Sequence, residues 1–199
     1  MRIPYAPTTP PSDSDASTQE IYTRIAERRK PRPLIPLDLA LLHNPSIADG
    51  WNTLLGAIRS KTSLNPGLME MAVSRIAILN SAVWEWNAHA PLALKGGLSR
   101  EALEIVRTAE VYPKNGRKKS REEEEKLKGE EWAVMCFTDQ MTKSVEVDEE
   151  VFEALREFLD EKGIMEITAT VATYNCVSRF LVALNVGEKN GLEMKMPEA

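Results

Sequence analysis

Glu70, Glu85 and His89 are the residues of this chain whose types and spacing could move a proton. Glu85 and His89 stand four apart, so on an α-helix they share a face, with Cβ atoms about 6 Å apart. Glu70, within Met69-Glu70-Met71, would arrive from the preceding helix of a hairpin. An imidazole changes charge near neutral pH and a desolvated carboxyl can be tuned toward it, so acid–base chemistry is the expectation. Glu70 sits among Leu68, Met71, Ala72, Ile76 and Leu79, where an unpaired charge is costly. Three resolutions stand open: exposure at the edge, protonation, or pairing with a group such as Arg75 or His89.

Around this triad, Trp84, Trp86 and Trp51 could wall an aromatic pocket or pack as ordinary core. Tyr174 and Arg179 could bind a substrate carboxylate or phenol, or serve an ion pair or interhelical hydrogen bond. An i, i+4 carboxylate and imidazole can chelate a metal, but His43 is the only other histidine, and it reads as a loop or capping residue. No metal site is expected. Cys136 and Cys176 are 40 residues apart and form no CxxC pair, so both are expected to be reduced, buried thiols.

The elements that must position these residues all read as helices, with no period-two strand pattern. One helix is expected from near Ser17 to Arg29, ended by Pro31, Pro33 and Pro36, with a short turn of helix over Leu37 to Leu42. Asn44-Pro45 and Asn65-Pro66 both pair a capping side chain with a proline at the first helical position. They open helices to about Lys61 and Asn80, the first carrying Ile47, Trp51, Leu54, Leu55 and Ile58 at helical spacing. The next spans Ala82 to about Leu94 and stops at Gly96-Gly97, and Ser99 caps another that ends near Thr108. Three more follow: Glu130 to Ser144, Asp148 to Glu161 with Val151, Leu155, Phe158 and Leu159 on one face, and Ile164 to Val186. Between them, residues 112–129 carry opposite-sign charge blocks and read as a solvated insertion.

At 199 residues with 43% hydrophobic and 28% charged content, the chain can bury one sizeable core. The expected organisation is a flexible Pro/Ser/Thr-rich tail at 1–16, one all-α domain over 17–187, and a tail at 188–199. A net charge of −5 without a basic stripe argues against nucleic acid as a partner. The first residues lack a signal-peptide core and no stretch approaches transmembrane length, so a cytoplasmic protein without a membrane partner is expected.

Glu70, Ala82, Glu85 and His89, followed by Gly96-Gly97-Leu98-Ser99 with Glu101 and Ala102, resemble in order and spacing the carboxymuconolactone decarboxylase family, which shares the AhpD-like helical fold. The resemblance is most specific over Pro66 to Val106. It extends more weakly back through His43-Asn44-Pro45 and Trp51, and forward to Thr173–Phe180. It implies an all-α, AhpD-like bundle built around a helical hairpin. The peroxidase branch places cysteines where this chain has Ala82 and Glu85, and thiolate attack on a peroxide needs sulfur there. The decarboxylase branch places Glu-Trp ahead of the histidine, as Glu85-Trp86 and His89 do here. The resemblance therefore implies cofactor-free acid–base catalysis on a carbon acid or lactone, with His89 delivering the proton, Glu85 orienting it or alternating with it, and Glu70 completing a carboxylate pair. It also implies a homo-oligomer, trimer or hexamer. The Pro-rich start and the charged insertion depart from the family pattern and point to a specialised biosynthetic substrate. The other reading is a non-catalytic oligomer of the same fold that binds a small hydrophobic ligand.

Overall fold

The computed structural model describes residues 1–198. The described residues form ten α-helices and one 3-10 turn, with no strand, as an AhpD-like bundle requires. They fall into two compact units: residues 1–62 with 183–188, and residues 63–182 with 189–198.

In the first unit, α1 (Ala16–Arg29) starts where the Asp15 carboxylate accepts the Thr18 N–H at 2.7 Å and buries Ile21, Tyr22 and Ile25 on one side. α2 (Pro36–Leu41) is tied to it by Arg29, whose guanidinium grips both Asp38 oxygens at 2.8 and 2.7 Å. α3 (Pro45–Ser60) opens at Asn44, whose side chain accepts the Ile47 N–H. Ile47 and Leu54, expected on the apolar face of α3, are exposed, while Leu55 and Ile58 are buried. The first residues are held by backbone bonds, Ala6 N–H to the Leu39 carbonyl and Arg2 N–H to the Leu184 carbonyl. His43 lies in the loop after α2, 2.6 Å from the Pro4 carbonyl.

The second unit is built around α4 (Pro66–Leu79), in which every residue from Gly67 to Ala77 is buried. α5 (Val83–Lys95) returns antiparallel to it after a three-residue turn in which Ser81 adopts a positive φ. The open end of this hairpin is closed by a backbone approach: a Cβ on Gly67 would lie 2.7 Å from the Gly96 carbonyl oxygen, so neither position tolerates a side chain. α6 (Arg100–Thr108), α7 (Arg121–Lys126), α8 (Gly129–Lys143), α9 (Glu149–Arg156) and α10 (Glu161–Leu184) complete it.

Three expectations need correction. α9 stops at Arg156 and leaves Phe158 exposed, because Asp160 accepts the Gly163 N–H and draws the start of α10 forward to Glu161. The insertion is not simply solvated. Ser120 and Glu123 cap α7, and Glu123 is buried against Arg117, whose guanidinium lies over Tyr112 and Trp132. α10, finally, is long and apolar enough by length and composition to cross a membrane, alone among the described helices. Within the second unit it buries Gly163, Glu166, Ile167, Thr170, Val171, Tyr174, Val177, Ser178 and Leu181 at helical spacing, as a core helix does.

Candidate active site

Glu70, in the second turn of α4, reaches across the hairpin to His89, its Oε2 2.6 Å from Nδ1. A carboxylate at Nδ1 fixes the tautomer with the proton on that nitrogen and makes Nε2 the atom that exchanges protons. The buried Tyr174 ring of α10 meets the imidazole edge to face, with centroids 5.0 Å apart and planes at 83°. His89 is thus oriented by a carboxylate on one helix and an aromatic ring on another, with its side chain 12% exposed.

The expectation that Glu85 orients His89 is corrected: that bond belongs to Glu70. Sharing a helical face brings stems together without requiring the tips to bond, and α4 presents its carboxylate to the ring first. Glu85 is 0% exposed, and neither carboxyl oxygen has a hydrogen-bond partner. Burial pushes its pKa well above the usual carboxylate range. The open question about Glu70 resolves in favour of His89, because Arg75 is fully engaged elsewhere: Nε and Nη2 bond both Asp139 oxygens at 2.6 and 2.7 Å.

The remaining candidates differ in burial and in partners. Trp86 is fully buried beside Glu85, and its indole N–H donates to the Lys195 carbonyl at 2.7 Å. Residues 189–198, read from the sequence as a tail, therefore reach the hairpin. Trp84 is half-buried on the same helix, and Trp51 is half-buried on α3 in the other unit. Arg179 is exposed, and its Nη1 bonds the Asn175 carbonyl at 3.0 Å. Asn175 and Ser178 in turn hold Asn80 at 3.0 and 2.8 Å, which places this polar group at the α4–α5 turn rather than at the imidazole. The thiols differ from expectation in one respect: Cys136 is buried, with its pKa raised by burial, whereas Cys176 is exposed. Among the described residues, no three His, Cys, Asp or Glu side chains are grouped to hold a metal ion.

Sequence reasoning passed over Ser74, four residues after Glu70 on the same face of α4. It is fully buried, and its Oγ has no hydrogen-bond partner. Its signal was present: a hydroxyl one helical turn from a candidate carboxylate, inside an otherwise apolar run.

Residues 45–120 match the carboxymuconolactone decarboxylase family. The match includes Glu70, Ala82, Glu85 and His89, and it bears out the resemblance carried by those residues. Similar solved structures cover nearly the whole chain. A peroxidase-related protein from Ralstonia eutropha JMP134, with an alkylhydroperoxidase AhpD core, aligns with a TM-score of 0.71 at 20% identity over 99% of this chain and 97% of its own. A peroxidase-related protein from Silicibacter sp. TM1040 gives 0.67 at 15% identity, covering 96% of each chain. The debrominase Bmp8, solved as a variant in complex with 2,3,4-tribromopyrrole, gives 0.61 at 20% identity over 90% of this chain and 89% of its own. At these identities the likenesses show the AhpD-like fold. No curated protein matches the chain.

Proposed function

We propose that this protein is a cofactor-independent enzyme of acid–base chemistry, a decarboxylase or related lyase or isomerase acting on a cyclic carboxylated or enolisable small molecule. The observation that carries the reading is the Glu70–His89 contact at 2.6 Å, buried against Tyr174. Loss of CO2 from, or of a proton next to, a carbonyl leaves an electron pair that must be stabilised and then protonated. His89 supplies and removes that proton through Nε2, while Glu70 stabilises the imidazolium that forms. The family match supports this reading, and Ala82 and Glu85 leave no thiol at the positions where the peroxidase branch carries its cysteines.

Metal-stripped wild-type protein and His89→Ala are to be compared on γ-carboxymuconolactone-like lactones and polyketide-derived carbonyl acids. We expect wild-type turnover of at least one member and a loss of roughly 10²- to 10⁴-fold in His89→Ala. Equal rates in the two proteins, or no turnover of any member, would sink the proposal. A homo-oligomer, trimer or hexamer, belongs to the same reading, and the exposed Ile47 and Leu54 on α3 support it. Light scattering on Ile47→Glu/Leu54→Glu should show a smaller species than wild type, and an unchanged mass would remove that support.

A further inference from the structure

α4 and α5 run antiparallel, and the Glu70–His89 bond fixes which faces of the two helices look at one another. Moving one turn toward the connection advances four residues on α4, to Ser74, and retreats four on α5, to Glu85. Residues four apart share a helical face, so Ser74 and Glu85 lie at one level of the hairpin, about 6 Å from the Glu70–His89 level. The two levels differ in one respect: the first is hydrogen-bonded across the helices, and the second is not. Ser74 Oγ and both Glu85 oxygens are buried without partners. Two unpartnered polar side chains at one level of a buried interface are costly to leave so, and a ligand that pairs with both repays that cost.

We propose that Ser74 and Glu85 form the subsite for the substrate's carbonyl oxygen, with both side chains donating hydrogen bonds to it. The inference rests on the proposed acid–base reading and specifies where the negative charge of that reaction goes. His89 Nε2 takes a proton from the carbon beside the carbonyl. The C–H pair becomes the new C=C bond, and the carbonyl π pair moves onto the oxygen held by the Ser74 and Glu85 hydroxyls. Return of the proton from Nε2 to carbon closes the cycle with no oxidant or other reactant. In a decarboxylation the C–CO2 pair becomes the C=C bond as CO2 leaves, and the carbonyl π pair moves onto the same oxygen. The protonated His89 then gives its Nε2 proton to the carbon as the enolate collapses, and regains a proton from water. Burial keeps Glu85 in the neutral form that donation requires, the device by which a carboxylic acid can stabilise an oxyanion. The subsite accepts a neutral carbonyl or an enolate oxygen. With both donors converging on a single oxygen, it favours these over a carboxylate, which spreads its charge over two oxygens.

4-Nitrophenol, a ring phenol whose absorption reports its ionisation, serves as the enol probe, and benzoate as the carboxylate control. We expect wild type to bind 4-nitrophenol at least tenfold more tightly than benzoate, and to favour its ionised form. Ser74→Ala and Glu85→Leu should each weaken 4-nitrophenol about tenfold while raising Tm, because each removes a buried polar group that has no partner. The rise in Tm separates loss of the subsite from loss of the fold. Unchanged 4-nitrophenol affinity in both variants, or tighter binding of benzoate than of 4-nitrophenol to wild type, overturns the subsite. If His89→Ala turns over substrate as wild type does while Ser74→Ala still loses the probe, the catalytic reading fails and the subsite stands. If His89→Ala abolishes turnover and both subsite variants bind the probe normally, the subsite fails and the catalytic reading stands.

Discussion

Ser74 and Arg75 are consecutive residues of α4, both buried, and they live under opposite conditions. Arg75 is 1% exposed and makes five hydrogen bonds: two to Asp139 and one each to the Val106, Ala109 and Glu110 carbonyls, two of these from Nη1. Asp139 Oδ2 also accepts the Tyr112 N–H at 2.7 Å, so the pair ties α4 to α8 and to the chain leaving α6. By the register that the Glu70–His89 bond sets, Ser74 falls at the level of Glu85, and neither side chain has a partner. A planar guanidinium with every donor used is architecture. Polar groups left unpaired at equal depth cost stability, and such sites are expected where a ligand completes them. On the proposed reading the same helix carries a structural face and a chemical face, one residue apart in sequence.

The largest expected effect tests the structural face. Asp139→Ala leaves the Arg75 charge buried without its carboxylate and should cost about 3–5 kcal/mol, read from urea unfolding. A cost below about 1 kcal/mol would mean that the backbone carbonyls alone satisfy Arg75, and the contrast with Ser74 would lose its meaning. On the chemical face the sign reverses. Glu85→Leu should stabilise the unliganded protein by about 1–3 kcal/mol, since it removes a buried carboxyl that nothing pairs.

Protonation sharpens that contrast, because the insertion holds a buried carboxylate of the opposite kind. Burial tends to raise the pKa of Glu123, but Arg117 and the backbone and hydroxyl of Ser120 outweigh it and bring the value down from 4.5 to about 2. The stability that Glu123 confers is fully present above pH 4.5 and is lost as pH falls toward 2. Glu85 shifts the other way. Its folded form holds the proton above the unfolded value of 4.5, so wild type loses stability as pH rises from 4.5 toward the raised value. Unfolding measured from pH 2 to 8 should therefore show the advantage of Glu85→Gln over wild type growing with pH above 4.5. The deficit of Glu123→Gln should shrink as pH falls below 4.5. Parallel profiles for the two variants would show that Glu85 is paired or solvated after all.

The legible part of this molecule was local. Asn44-Pro45, Asn65-Pro66 and Ser99 announced helix starts because a cap acts within four residues, and Asn65 does accept the Leu68 N–H at 3.1 Å. The Ser120-x-x-Glu123 capping box was equally local but was hidden by the charge run around it, so α7 went unread. Pairings between helices were not legible. Glu85 and His89 are neighbours on a helical wheel, but only the hairpin register shows that Glu70 is the carboxylate on Nδ1, and only that register puts Ser74 level with Glu85. The path of residues 189–198 was illegible for the same reason, since its contact with Trp86 joins positions 109 apart.

That contact is the intermediate case between Arg75 and Ser74, a buried donor satisfied by an irregular segment rather than by a helix. Asn190 holds the Val182 carbonyl at 2.8 Å, Glu193 lies within electrostatic reach of Arg107, and the Lys195 carbonyl takes the Trp86 indole N–H. Trp86→Phe keeps most of the aromatic packing and removes the donor, so it should cost about 0.5–1.5 kcal/mol, the smallest effect in the series. Hydrogen exchange locates the cost: amides of residues 193–198 should exchange faster in the variant, while those of α4 and α5 keep their protection. If the segment exchanges as in wild type, Glu193 and Asn190 hold it without the indole. If it exchanges faster, Trp86 belongs with Arg75 as architecture, in contrast to Ser74 and Glu85, whose buried polar atoms on the same hairpin have no partner.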